Sequence, residues 1–306
     1  MKNIGYCCIA LGPNENLSKK EQITINRGMI KKTFEAKGLE YVSELTILNL
    51  DDCLKILKYN LKKGIYVYRM SSDMLPCLGF YKISDLPRIK VIESKLKAIG
   101  DFVKANEIRV SFHPSHFNII ASENPQVVEN SIDELDKHAQ IMDMMGLDQT
   151  TFYAINIHIG TTKPSCAEAA ERFCQQFPRL SESCRKRLTV ENDDSPNQYS
   201  VKMLHEMVHQ KIGIPIVADS LHHQCFNDGQ TWEEALRMAA STWTTRPLCH
   251  HSSSKKLFED SKSKLEAHAD FLYEKFESFD LEVDIELECK QKDISLLKYR
   301  KDFLLG

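Results

Sequence analysis

Four histidines and three carboxylates in this chain stand where short apolar runs give way to polar sequence. His113 closes "IRVSFHPS", His158 closes "TFYAINIHIG" and Glu191 lies in "LTVEND". Asp219 and His222 lie in "IPIVADSLHH", His250 in "RPLCHHS" and Glu288 in "LEVDIELECK". Imidazoles and carboxylates without thiolates suit Mn²⁺, Fe²⁺ or Zn²⁺. Converging in one cavity they would repel one another or lose hydration unless a cation held them. Several carboxylates would permit a bridged cluster, a device that activates water and stabilises both oxygens of a phosphodiester under attack. Each residue also has a structural reading. A single histidine at a strand end is commonly a hydrogen-bonded loop residue, and Glu191 could sit beside a helix N-cap. Glu288 alternates with Val283, Ile285 and Leu287, a phase that also suits a solvent-facing edge.

The elements that must gather these groups are legible as eight β-rich runs, at 3–11, 64–71, 108–115, 151–160, 188–193, 214–220, 246–252 and 281–290. Helical spacing falls between them. Val128, Ile132, Leu135, Ala139 and Met142 recur at steps of three and four before Gly146, and Val201, Leu204 and Val208 before Gly213. Eight strands alternating with helices predict a single-domain (β/α)₈ TIM barrel over residues 1–306, with its active site at the C-terminal ends of the strands. The rival, an open doubly wound sheet, usually carries a Gly-rich phosphate turn, and neither GxGxxG nor GxxxxGK[ST] occurs. In the barrel, six successive strands aim His, Glu or Asp at one mouth.

Composition leaves this reading open. The chain has 306 residues, 42% apolar and 27% charged, with 40 basic and 43 acidic side chains and a net charge of −3. That excludes an obviously polycationic protein but not a local basic groove. No apolar run reaches the length of a membrane span, so no membrane partner is expected. The opening run is too short for a secretory signal. Ten cysteines without a CxxC pair are expected to be reduced thiols of a cytoplasmic protein.

The segments "IGYCC" (4–8), "YRMSSDMLP" (68–76), "SFHPSHF" (111–117), "NIHIG" (156–160), "VEND" (190–193), "VADSLHH" (217–223), "RPLCH" (246–250), "EAHADF" (266–271) and "IELECKQKD" (285–293) occur in order across nearly the whole chain. Together they resemble the UV damage endonuclease family, itself similar to the endonuclease IV type of TIM barrel. The resemblance implies a metal-dependent DNA repair enzyme that nicks immediately 5′ to UV photoproducts and some other lesions. It implies His113, His158, Glu191, Asp219, His222, His250, His268 and Glu288 as metal ligands, with Glu191, Asp219, Glu288 and His250 catalytic. His268 rests on the resemblance alone; the spacing of Leu265, Ala269, Leu272 and Phe276 makes its segment read as a helix. Two or three divalent ions are expected, Mn²⁺ foremost, with Zn²⁺, Mg²⁺ or Co²⁺ as alternatives. The expected partner is damaged double-stranded DNA, met by a monomer.

The family pattern also marks departures. Its Gln-Tyr pair, which wedges into the duplex, is His116 and Phe117 here, and the preceding Gly is Ser115. Phe117 keeps a ring that can stack and unstack bases. A lysine that is carboxylated in some members is Leu248, a histidine of the second loop is Asp73, and an asparagine after the first strand is Ala10. Tyr6 is retained and is expected on the lesion side. Glu266 is a further carboxylate candidate. A basic run, Lys19, Lys20, Arg27, Lys31, Lys32 and Lys37, reads as an overhanging loop or a solvated helix face. Lys163, Lys255 and Lys256 fall beside candidate ligands, where they would hold phosphates. Two other readings remain at this level: a single-metal sugar isomerase or epimerase, and a non-catalytic binder of damaged DNA.

Overall fold

The computed structural model describes residues 3–18 and 21–304. Its strands are short: β1 Ile4–Cys7, β2 Val67–Arg69, β3 Arg109–Ser111, β4 Ile155–Ile157, β5 Leu188–Glu191, β6 Ile216–Asp219, β7 Leu248–His251 and β8 Asp284–Leu287. Each falls inside one of the eight β-rich runs. They pair in parallel in the order β3-β2-β1-β8-β7-β6-β5-β4. A parallel bridge between Phe112 and Ile155 closes the ring from β3 to β4. The protein is a (β/α)₈ TIM barrel, as the alternation of elements requires.

The helices are α1 Lys31–Lys62, α2 Ile89–Ala105, α3 Pro125–Met144, α4 Cys166–Gln176, α5 Glu182–Arg185, α6 Val201–Leu204, α7 Gln210–Ile212, α8 Ser220–Cys225, α9 Trp232–Ser241, α10 Lys255–Phe258 and α11 Lys292–Phe303. The helix expected before Gly146 is α3, capped at its start by the Asn124 side chain and stopped by Gly146 at φ +70°. The helix expected before Gly213 is α6 and α7 joined by a π-helical turn, His205–His209. No helix of the described residues is long and apolar enough to cross a membrane. All ten cysteines are free.

Alternation along the strands divides the side chains. Tyr6, Tyr68, Val110, Ile155, Val190, Ile216, Ile285 and Leu287 join the apolar core beneath the helices, with Leu296 and Tyr299 of α11. The other face lines the barrel interior. On β8 that face is Asp284, Glu286 and Glu288, three carboxylates at successive inward positions. Each reaches across the lumen to a strand that does not adjoin β8. Arg109 meets Asp284 at 2.9 Å with both side chains 1% exposed. Ser111 donates to Glu286, and Arg69 pairs with Glu288. Barrels of this class are usually filled by branched apolar layers; here the axis is a column of polar pairs rising to the mouth. One small apolar layer near the base holds Val67, Ala154 and Leu248 against Trp243. Leu248, at the position of the family's modified lysine, is thus plain packing.

A candidate metal centre at the mouth

Three groups of side chains at the C-terminal ends of the strands could each hold an ion: His113, His158 and Glu191; Glu191, Asp219 and His222; Asp219, His250 and Glu288. Within each, one ligand atom per residue lies within 4.8 Å of the others. Glu191 belongs to the first two groups and Asp219 to the last two, so the groups form a chain joined through shared carboxylates. That is the geometry a bridged cluster needs, and a single-ion site would require only one group.

The imidazoles form an arc around this chain. Ring centroids are 5.9 Å apart from His250 to His113, 5.4 Å from His113 to His158, 5.7 Å from His158 to His222 and 6.5 Å from His222 to His268. Most have one nitrogen tied outside the cluster, which aims the other inward. His113 Nδ1 lies 3.2 Å from the Pro114 carbonyl, leaving Nε2 3.0 Å from Glu191. His158 Nδ1 lies 3.0 Å from Asp193 Oδ1. His222 Nδ1 lies 2.8 Å from the Asn192 carbonyl, and His268 Nδ1 2.6 Å from the Glu288 carbonyl. Asp219 spends Oδ1 on the backbone N–H of His222, as the N-cap of α8. Its Oδ2 is buried with no hydrogen-bond partner.

Charge is unusually concentrated here. Burial works against ionised Glu191, but His250 and His158 outweigh it and hold the carboxyl well below its usual range. Burial likewise opposes charge on His158, yet Glu191 and Asp193 lift it to about 9. Against the same burial, Glu191 and Glu288 raise His250 well above an ordinary imidazole. Asp219 and Glu191 raise His222, whereas at His113 burial prevails and lowers it. Burial also disfavours the Glu288 carboxylate, but Arg69 and His250 keep it far below its normal value. The carboxylates therefore draw protons onto the imidazoles, the demand that divalent ions would meet. An unpartnered Asp219 oxygen, inward-aimed imidazoles and shared carboxylates fit such ions; no sulfur ligand is among them.

All eight residues named from sequence as candidate ligands lie at the mouth, but not all as expected. His268 is not on a helix: residues 266–271 are irregular, and an antiparallel bridge from Ser254 to His268 brings it in. It falls outside the three groups, with its ring beside Glu288. Glu288 is not a solvent-facing edge residue; its side chain is 13% exposed and faces the lumen. The apolar residues Val283, Ile285 and Leu287 face the helices, which reverses the simplest reading of an alternating strand. Glu266 is drawn off to Lys264 at 3.4 Å. Tyr6 does not face any DNA: it is fully buried on the helix side of β1, its hydroxyl donating to Asn60 of α1 at 2.7 Å. Ala10 is buried, and Asp73 is exposed beside Ser72, lining the same cavity as Phe117.

The rim carries several of the residues named for DNA contact. His116 and Phe117 are exposed and paired, ring centroids 4.1 Å apart, with Phe117 73% exposed. They border a cleft of about 460 Å³ that His113, His158, Asp193 and His222 also line. A larger cavity, about 620 Å³ around Arg109 and Asp284, opens at the opposite end of the barrel. Volume alone would choose that end, but the reactive side chains do not. Lys163 is exposed on the loop after β4, as is Lys256 at the start of α10. Lys19 and Lys20 lie outside the described residues. Arg27 is committed to Asp52 at 2.6 Å, and Lys37 sits 3.9 Å over the Tyr41 ring of α1. The sequence reading missed Arg69, Asn192, Asp193 and Glu286, all recoverable from inward strand phase or from adjacency to a ligand.

Comparison with known proteins shows the family of the chain. The family described as UV-endonuclease UvdE matches residues 2–304. The chain is 32% identical over 303 residues to a UV DNA damage endonuclease of Clostridium perfringens, covering 96% of this chain and 69% of the relative. A UV DNA damage endonuclease of Bacillus cereus is 30% identical over 287 residues, 90% of this chain and 87% of its own. Among solved structures, SacUVDE superposes with a TM-score of 0.84 at 30% identity over 98% of this chain and 97% of that one. Endonuclease IV of Thermus thermophilus shares the fold, with a TM-score of 0.54 at 13% identity over 81% and 93% of the two chains. The chain belongs to the UV-endonuclease UvdE family.

Proposed function

We propose that this protein is a metal-dependent DNA repair endonuclease that cuts the phosphodiester immediately 5′ to UV photoproducts in double-stranded DNA, with abasic and other lesions as further substrates. The observation that carries the reading is the chain of three ligand groups sharing Glu191 and Asp219 at the mouth of a UvdE-family barrel. His113, His158, Glu191, Asp219, His222, His250 and Glu288 would hold the ions, with His268 closing the arc beside Glu288. Two or three ions, Mn²⁺ foremost, would supply an acidified water and charge neutralisation at the phosphate. The side chains themselves do the positioning. Glu191, Asp219 and Glu288 present oxygens to the lumen, and the outer anchors of the imidazoles fix which nitrogen faces in. Phe117 stands free on the rim, where its ring can enter the base stack, and His116 beside it can donate to a displaced base. Lys163, exposed on the loop after β4, would hold a backbone phosphate.

The test is strand nicking on an end-labelled duplex carrying one thymine dimer, with Mn²⁺, an EDTA control and an undamaged control. Cleavage immediately 5′ to the dimer, lost with EDTA and with His113→Ala, is expected. A metal-loaded protein that leaves the dimer strand intact would sink the assignment for this substrate.

A further inference from the structure

His250 is the exception among the imidazoles of the mouth. In His113, His158, His222 and His268, Nδ1 meets an outer carbonyl or carboxylate, even where, as in His222, it also lies 3.4 Å from Glu191 Oε1. His250 is turned the other way. Its Nδ1 lies 3.1 Å from Glu191 Oε1 and 3.3 Å from Glu288 Oε1, so Nδ1 faces the ligand groups. Its Nε2 points down the barrel, where no backbone carbonyl meets it. The group facing it is Glu286 Oε2, at 3.3 Å. Both side chains are fully buried, and neither His250 Nε2 nor Glu286 Oε2 makes a geometrically formed hydrogen bond, so the 3.3 Å ion-pair contact is what joins them.

Glu286 is built to hold that position. It is the cross-strand partner of His250 in the register of β7 and β8. Its other oxygen accepts from Ser111 of β3, across the lumen. It belongs to none of the three ligand groups, so nothing in the site as described requires a carboxylate there. A buried carboxylate is costly unless it is paired; this one faces the His250 ring and the Ser111 hydroxyl, with the Arg69 guanidinium acting on it by charge.

We infer that Glu286 is a positioning residue for the metal centre: it keeps the His250 proton on Nε2, so that the Nδ1 lone pair is presented to the ion beside Asp219 and Glu288. This rests on the metal-centre reading above. A carboxylate behind a ligating imidazole fixes its tautomer and orientation, and removing such a partner costs about ten- to hundredfold in metal affinity. Without Glu286 the ring can carry its proton on Nδ1, and the third ligand group is left with two carboxylates and no imidazole donor.

The experiment compares wild type with Glu286→Met, which removes the acceptor, and Glu286→Gln, which keeps its shape and carries the test should the methionine variant not fold. Bound Mn²⁺ is titrated, and the His250 tautomer is read by NMR of nitrogen-15 histidine in the Zn²⁺-loaded protein. Wild type is expected to show His250 protonated on Nε2. Glu286→Met should lose about ten- to hundredfold in affinity for one Mn²⁺ and lose the single tautomer, and Glu286→Gln should fall between. Affinities within twofold of wild type in both variants, with an unchanged tautomer, would overturn the inference and leave the metal centre standing. A wild-type protein that takes up no divalent ion would overturn the metal centre itself.

Discussion

Glu191 and Asp219 are each counted in two ligand groups, whereas His268 is counted in none. A change at a shared carboxylate should therefore remove more than one ion's worth of coordination. Glu191→Gln and Asp219→Asn are expected to lower bound Mn²⁺ per chain further than His268→Ala, read by elemental analysis after gel filtration. They should also abolish most of the thermal stabilisation that Mn²⁺ confers on wild type, about 2.7 kcal/mol when the ion is present at a hundredfold over its dissociation constant. Equal metal content in all three variants would show that the carboxylates are not shared.

Strand phase decides the site at the next scale. The same β8 that reads as Val283, Ile285 and Leu287 from its apolar side presents Asp284, Glu286 and Glu288 from the other, and a shift of one residue would exchange them. The helices outside the barrel are also packed by close approach. A Cβ added at Gly100 of α2 would lie 1.8 Å from the carbonyl oxygen of Met145, the C-cap of α3. Gly100→Ala should thus push the two helices apart and cost about 1–3 kcal/mol in denaturant unfolding. An unchanged midpoint would mean that the contact relaxes freely.

Across the whole molecule the lumen separates a structural end from a chemical one. At the base Arg109 also donates to the carbonyls of Phe152, Thr151 and Arg246, and Asp284, its ion-pair partner among the described residues, balances a fully buried guanidinium while also meeting Arg246 at 3.1 Å. Asp284→Ala should cost about 3–5 kcal/mol, because it leaves that charge uncompensated. Since Glu286 and Glu288 lie between this pair and the mouth, the metal content of the folded fraction should stay at the wild-type level. A variant that instead loses metal with little loss of stability would place Asp284 in the centre.

The sequence by itself determined the fold and pointed to most of the residues that could hold an ion. Eight runs of strand-forming residues separated by helical spacing, the last six carrying a reactive side chain near their ends, leave little but a barrel with those side chains at one mouth. Both follow from local periodicity, which a chain carries whatever its tertiary contacts. Burial and facing were not legible. Tyr6 follows "NIG" in a short strand, and only the packing of α1 against β1 shows that it turns to Asn60 and away from the mouth. His268 sits at helical spacing, but its segment is held as irregular chain by the Ser254 bridge. In sequence Glu286 is a polar residue between Ile285 and Leu287. Closure of the barrel, which faces β8 inward and sets Ser111 across the lumen, is what turns that residue into a partner for His250. Which side of a strand meets water and which meets other strands is a property of the closed ring, and no single segment carries it.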